Sequence, residues 1–201
     1  MTVDLNADLA EGDTLSAADR LVLDSVTSAS LACGFHAGSP SVMRATAAAC
    51  VERGVVIGAH VSYRDREGFG RRVLGTPADV LVGDILDQWA ALVAEVDAVG
   101  GSVSYVKPHG ALYNQMGIDP AVADAVVEAV ARLHGTELVA PAGSVVADSA
   151  RRAGIRVIPE GFPDRGYLPD GRLVPRSVDG AVVEDPVDVA RRAVSLVRRH
   201  G

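Results

Sequence analysis

"SVSYVKPHGALYN", residues 102–114, is a short β-rich run that ends in a cluster of polar residues. Residues 102–107 read as a strand, and Lys107-Pro108-His109-Gly110, with Tyr113 and Asn114 beyond, follow its C-terminal end. The same arrangement recurs along the chain. Strand candidates at 2–9, 27–33, 55–61, 137–141 and 155–159 alternate with helical patterns, and a shorter seventh lies near 172–183. Alternating strands and helices predict βαβ units on a parallel sheet.

The helices carry end signals. Ser39-Pro40 offers an N-cap and a proline at the first helical position, with Gly54 as terminator. Thr76-Pro77 starts a long helix that stops at Gly100-Gly101. Asp119-Pro120 and Asp185-Pro186 start two more, the first followed by Val122, Val126, Val130 and Leu133 at helical spacing. No linker, low-complexity tract or internal repeat interrupts the pattern, so 1–201 reads as one domain, long enough for a single core.

The bulk numbers narrow the class. Apolar residues are 48% of the chain but form no run long enough to span a bilayer. The start, "MTVDLNADLAEG", has neither a basic n-region nor an apolar h-region, so a cytoplasmic location is expected. Cys33 and Cys50 lack CxxC spacing and read as buried small apolar side chains in a reducing compartment. A net charge of −7 argues against a nucleic-acid or anionic-membrane partner and leaves a small molecule or another protein.

The polar clusters follow the strands and do not precede them. Asp8 and Glu11 come after the first; Cys33 to Gly38, with His36, after the second; His60, Ser62, Tyr63 and Asp65 after the third. Glu160, Asp164 and Arg165 follow the sixth. In parallel α/β architectures the C-terminal strand ends form the site face, so five clusters converging there predict an enzyme. His134 and His200 sit in the last turns of helices, where positive charge suits the helix dipole, and are assigned no chemistry.

Two groupings admit definite chemistry. Asp8, His36 and His60 could form a metal site, because a carboxylate and two imidazoles at three strand ends suit Zn or Mn. "GFGRR" (68–72) is either a surface loop with two solvated arginines or an anion site. Its glycines would let backbone approach a ligand, and the guanidiniums of Arg71 and Arg72 match a carboxylate or phosphate. No phosphate-cradling GxxxxGK[ST], dinucleotide GxGxxG or nucleophile-elbow GxSxG is present. Lys107 is the chain's only lysine against 18 arginines, and it stands at the site face.

In order along the chain, "DLNADLAE" (4–11), "ACGFHAG" (32–38), "GAHVSY" (58–63), "GFGRR" (68–72), "KPHGALYN" (107–114), "EGFPDRGY" (160–167) and "DGRLVPRS" (170–177) resemble the LamB/YcsF family, the A subunits of ATP-dependent 5-oxoprolinases. The resemblance implies an irregular, TIM-like (β/α) barrel of the glycoside hydrolase/deacetylase superfold. It implies opening of 5-oxo-L-proline to L-glutamate, with ATP as co-substrate and with B and C subunits as partners. Under it, Lys107 holds a phosphoryl or oxyanion group, and Asp8 and His109 act as acid and base. Glu160, Asp164 and Asn114 orient water or the substrate amide. Arg71, Arg72 and Arg165 bind a carboxylate or phosphate, and Asn6, Glu11, His36, His60 and Tyr113 line the substrate site.

Several positions depart from the family pattern: Ala10 where Gly is usual, Ser30 and Ser39 where Asn and Asp are usual, Val61 for Pro, and Pro163 for Ala. The loop between Glu11 and Ser28 reads as shortened. The family continues into a further strand with a Cys-x-His-Gly-Asp-type motif and a closing helix, so the resemblance implies that the last β/α unit is missing here. An open sheet edge would then need a partner or a dimer mate to cover it. Two other functions fit the same residues: a metal-dependent deacetylase or amidohydrolase, and a non-catalytic binding or assembly component.

Overall fold

The computed structural model describes residues 3–200, apart from the side chains of residues 199 and 200. Its elements alternate as the sequence patterns predict. They are β1 (Asn6–Leu9), α1 (Ala17–Leu23), β2 (Ser28–Ala32), α2 (Pro40–Arg53), β3 (Val56–His60), α3 (Ala78–Asp97), β4 (Val103–Val106), α4 (Gly110–Met116), α5 (Pro120–Ala131), β5 (Glu137–Pro141), α6 (Val145–Arg152), β6 (Val157–Glu160) and α7 (Pro186–His200). The chain forms two compact units, Asp4–Pro159 and a second from Glu160 onward.

In the first unit the strands run in the order β1-β2-β3-β4-β5-β6, and β1 to β5 pair in parallel. Sequential parallel order requires each helix to cross back over the sheet before the next strand. The register Asp8↔Ser30↔Gly58↔Tyr105 aligns one row across four strands. Alternate positions Ala29, Leu31, Ile57, Ala59 and Val106 are buried, and α2 and α3 cross β2, β3 and β4. The opposite face is polar: Asn6 and Asp8, Ser28 and Ser30, His60, then Tyr105. The period of two separates a helix-covered face from a face available for chemistry.

Gly58 sits where the two faces need it. A Cβ there would lie under 3.0 Å from three ring atoms of Tyr105, so the phenol ring of β4 occupies the space over Gly58. That position lets the Tyr105 hydroxyl cross to β1 and β2.

Several caps match the sequence reading. The Ser39 side chain accepts from the Val42 N–H, Gly54 ends α2 at φ 68, and Asp119 and Asp185 accept from Ala121 and Val187. Others need correction. α3 begins at Ala78 with Pro77, in extended conformation, as its N-cap and no side-chain cap bond, so Thr76 lies one residue too early. The predicted strand at 2–9 is confined to Asn6–Leu9, and Thr2 lies outside the described residues. The predicted seventh strand near 172–183 is absent among the described residues. Two isolated antiparallel bridges, Arg165↔Val182 and Tyr167↔Leu173, stand in its place, because Gly171, Pro175 and Gly180 turn the chain before a ladder can form. Both cysteines are buried and unpaired, and no described helix is long and apolar enough to cross a membrane.

Candidate functional site

Four consecutive strands of the first unit deliver the site. β1 contributes Asn6 and Asp8, and Ala10 then takes a left-handed conformation, φ 61, that turns Glu11 back over the strand ends. This is the position where the family pattern usually carries Gly. His36 lies in the loop after β2, and His60 is the last residue of β3. Lys107 and His109 follow β4, tied to β3 by Lys107 N–H to Ala59 O (2.9 Å) and His109 N–H to Val61 O (2.7 Å).

Lys107 is only 4% exposed, which an ammonium tolerates only with partners. Its Nζ lies 2.9 Å from Asp8 Oδ1 and donates to Asn6 Oδ1 at 3.1 Å. Asn6 Oδ1 also accepts from Ser30 Oγ (3.0 Å), while its Nδ2 donates to Ser28 Oγ and Tyr105 Oη, both at 2.7 Å. An ammonium can only donate, so the contact fixes which way the Asn6 amide faces. Tyr105, Ser28 and Ser30 therefore act on Lys107 through Asn6. Burial raises the Asp8 pKa, but the His60 imidazole and the Lys107 ammonium outweigh it and hold the carboxyl far below the usual carboxylate range.

Three imidazoles crowd beside this pair. His36 and His109 stack at 4.0 Å, and His60 meets both edge-on. Gly70 roofs them: at φ 65, a Cβ there would come within 2.8 Å of His109 Cδ2 and 2.9 Å of His36 Cβ. Each ring is oriented from outside by an acceptor. His60 Nδ1 faces Lys107 O at 2.9 Å, and His109 Nε2 faces Phe69 O at 2.9 Å. His36 Nδ1 faces Ser62 Oγ at 2.9 Å, whose own proton is donated to Tyr63 O. These three nitrogens must carry the ring protons. Burial lowers the pKa of His36, and burial with the neighbouring rings lowers that of His109 to about 3.

The inward nitrogens converge. His60 Nε2 and His109 Nδ1 are 2.9 Å apart, and Glu11 Oε1 lies 3.3 Å from His36 Nε2, 3.6 Å from His109 Nδ1 and 3.9 Å from His60 Nε2. Asp8 Oδ2 approaches His60 Nε2 to 3.3 Å. The metal set expected from the sequence is Asp8, His36 and His60. The four donors that converge are instead Glu11, His36, His60 and His109, with Asp8 held to one side by Lys107.

Other candidate residues fall elsewhere. The Arg72 guanidinium is bound to the Asp65 carboxylate, which fixes its place in the loop. Arg71 is exposed, its guanidinium 5.0 Å over the ring of Phe69, whose carbonyl anchors His109. Tyr113 and Asn114 belong to α4, which turns Tyr113 into the core and Asn114 to solvent. Glu160, Asp164 and Arg165 belong to the second unit. There the Arg165 guanidinium donates to Ala181 O (3.1 Å) and Val174 O (2.6 Å), a role in holding its own segment. Sequence reasoning misses Tyr105, Ser28 and Ser30 as parts of the site. Their signal is the alternation of polar residues along β1, β2 and β4, continuous with Asp8 and Lys107.

The model of the LamB/YcsF family matches residues 3–201. The chain belongs to the LamB/YcsF family. Among its relatives, the A subunit of 5-oxoprolinase from Mycobacterium avium (strain 104) is 50% identical over 198 residues, covering 97% of this chain and 79% of the relative. The A subunit of 5-oxoprolinase from Acinetobacter baumannii (strain ACICU) is 48% identical over 205 residues, covering 100% and 80%. The crystal structure of a lactam utilization protein from Thermus thermophilus superposes with a TM-score of 0.92 at 42% identity, covering 98% of this chain and 81% of that one. The family member described here thus has the α/β, TIM-like architecture that the sequence motifs imply.

Proposed function

We propose that this chain is the A subunit of a cytoplasmic, multi-subunit 5-oxoprolinase, which opens the lactam of 5-oxo-L-proline to L-glutamate with hydrolysis of ATP. The observation that carries the reading is the buried Lys107 ammonium, fixed by Asp8 and Asn6 beside three imidazoles, in a chain about half identical to proteins named for that subunit. An unstrained lactam is a poor electrophile. Transfer of the ATP γ-phosphoryl group to the lactam oxygen makes attack by water at that carbon feasible. In balance, 5-oxoproline, ATP and two waters give glutamate, ADP and phosphate; the ring C–N bond breaks and its nitrogen gains the protons.

In this reading Lys107 stabilises negative charge on the lactam or phosphoryl oxygen as a fixed point charge. Asp8, held ionised, is a weak proton acceptor and orients Lys107 rather than serving as base. Glu11, with 27% of its side chain exposed, is the carboxylate that faces the three imidazoles. Arg71 receives the substrate carboxylate. ATP and the B and C subunits complete the reaction.

The test is glutamate release from 5-oxoproline by the complex isolated from its host. Glutamate formed only with ATP and the partner subunits supports the proposal. Release without ATP would point instead to a simple amidohydrolase.

A further inference from the structure

The hydrogen-bond donors around the three imidazoles are all committed on the outside. His60 Nδ1–H, His109 Nε2–H and His36 Nδ1–H point to Lys107 O, Phe69 O and Ser62 Oγ. The three inward nitrogens and Glu11 Oε1 are then four bare lone-pair donors gathered within 4.8 Å of one another, two of them 2.9 Å apart. Such a set is repulsive unless a cation sits within it. The second observation is metric. Bonds of about 2.0–2.1 Å place the ligand atoms of a tetrahedral ion about 3.3 Å apart. The separations here are 2.9, 3.3, 3.6 and 3.9 Å, and all four atoms lie within 4.8 Å of one another. Imidazoles that bind metals are oriented by donating their other N–H to a carbonyl, carboxylate or similar acceptor, as all three do here.

We propose that Glu11 Oε1, His36 Nε2, His60 Nε2 and His109 Nδ1 form a binding site for one divalent first-row metal ion, zinc by preference. Three borderline nitrogens and one carboxylate oxygen suit Zn²⁺ in tetrahedral geometry. Each ligand comes from the end of a different strand, β1 to β4, so the ion ties four βα units together. Closing on it tilts the stacked His36 and His109 rings. Asp8 and Lys107 stay outside the ligand set as a neighbouring ion pair. With Asp8 and Glu11 ionised, Lys107 protonated and the three rings neutral, a divalent ion leaves the cluster with net charge +1, which favours an anionic substrate. This site does not depend on the lactam reading, since the metal can be measured without turnover.

The experiment strips the full-length chain with a chelator, then titrates it with ZnCl₂ and separately with CoCl₂ at about pH 7.5, since proton competition weakens such sites at low pH. Expected are one ion per chain with Kd below about 1 μM, and a Co²⁺ spectrum with the intense visible bands of tetrahedral coordination. His36→Gln and His109→Gln each weaken binding at least about 100-fold, and Ser62→Ala, which removes the acceptor from His36, weakens it about 10–100-fold. Replacing His134 and His200 together with Gln leaves stoichiometry and affinity unchanged. Wild-type protein that takes up neither metal below about 10 μM would overturn the proposal, leaving a proton as the cation that fills the cluster. Uptake lost with His134 and His200 would overturn it equally.

Discussion

Substituting alanine at Gly58 tests how the polar face is built. The added Cβ would come under 3.0 Å from Cδ2, Cε2 and Cζ of Tyr105, a rigid ring that is 3% exposed and cannot swing into solvent. Overpacking of this kind costs about 1–3 kcal/mol. Moving the ring also pulls its hydroxyl from Asn6 and Ser30, and stranding buried polar groups costs about 1–3 kcal/mol more. We therefore expect Gly58→Ala to destabilise the first unit by about 3 kcal/mol, which at a urea m-value of about 2 kcal/mol/M lowers the midpoint by about 1.5 M. The sole tryptophan, Trp89 on α3, reports unfolding of this same unit by fluorescence. The cause is tested by a cycle. In a Tyr105→Ala background the space over residue 58 is vacant, so the same Gly58→Ala change should cost little or even stabilise. A loss under about 0.5 kcal/mol in the wild-type background, or an equal loss in both, would refute the geometry.

Three further outcomes follow from the same contacts. Ala10→Gly relieves a left-handed backbone that costs an L-residue about 1–2 kcal/mol, partly offset by glycine's greater unfolded-state entropy; a stability raised by about 1 kcal/mol is expected by urea unfolding, and a lowered one would contradict the strain. Tyr105→Phe leaves the ring over Gly58 but removes the hydroxyl from Asn6, so turnover by the reconstituted complex should fall several-fold while size-exclusion chromatography shows the complex still assembled. In metal-free protein, the lowered pKa of His109 means that the unfolded state binds a proton the native state refuses. Stability should then fall as pH drops below about 6.5 toward 3, by up to about 1.4 kcal/mol per pH unit. Thermal midpoints between about pH 7.5 and 5 should show a shallower slope in His109→Gln, and an identical slope would refute the assignment.

The sequence was most legible where a period of two met strong end signals. β2, β3 and β5 and the proline-started helices α2, α5 and α7 needed only local chemistry to be placed. The short helices were harder. α1 and α6 are 7 and 8 residues long, too brief for helical periodicity to stand out, although Ser16 with Asp19 forms a capping box and Ser144 caps Ala147. The short α4 bears on the site. Reading Gly110 as part of a polar loop puts Tyr113 and Asn114 at the mouth, whereas helical rotation sends one inward and the other outward. Strand-end placement brings Asp8, Glu11, His36, His60, Lys107 and His109 to one locus. Which carboxylate faces the imidazoles was not legible, because it turns on the backbone of Ala10 and on Lys107 holding Asp8 aside. The pairing of Arg72 with Asp65 was likewise a matter of loop geometry that spacing alone does not encode.

The most direct test of the account is the rate of ATP-dependent glutamate formation by the reconstituted complex carrying Lys107→Arg. The wider, planar guanidinium cannot take the place of an ammonium held between Asp8 and Asn6, so turnover should fall by about 100-fold or more with the complex still assembled. Full activity in Lys107→Arg would contradict the account, since any cation at that strand end would then suffice.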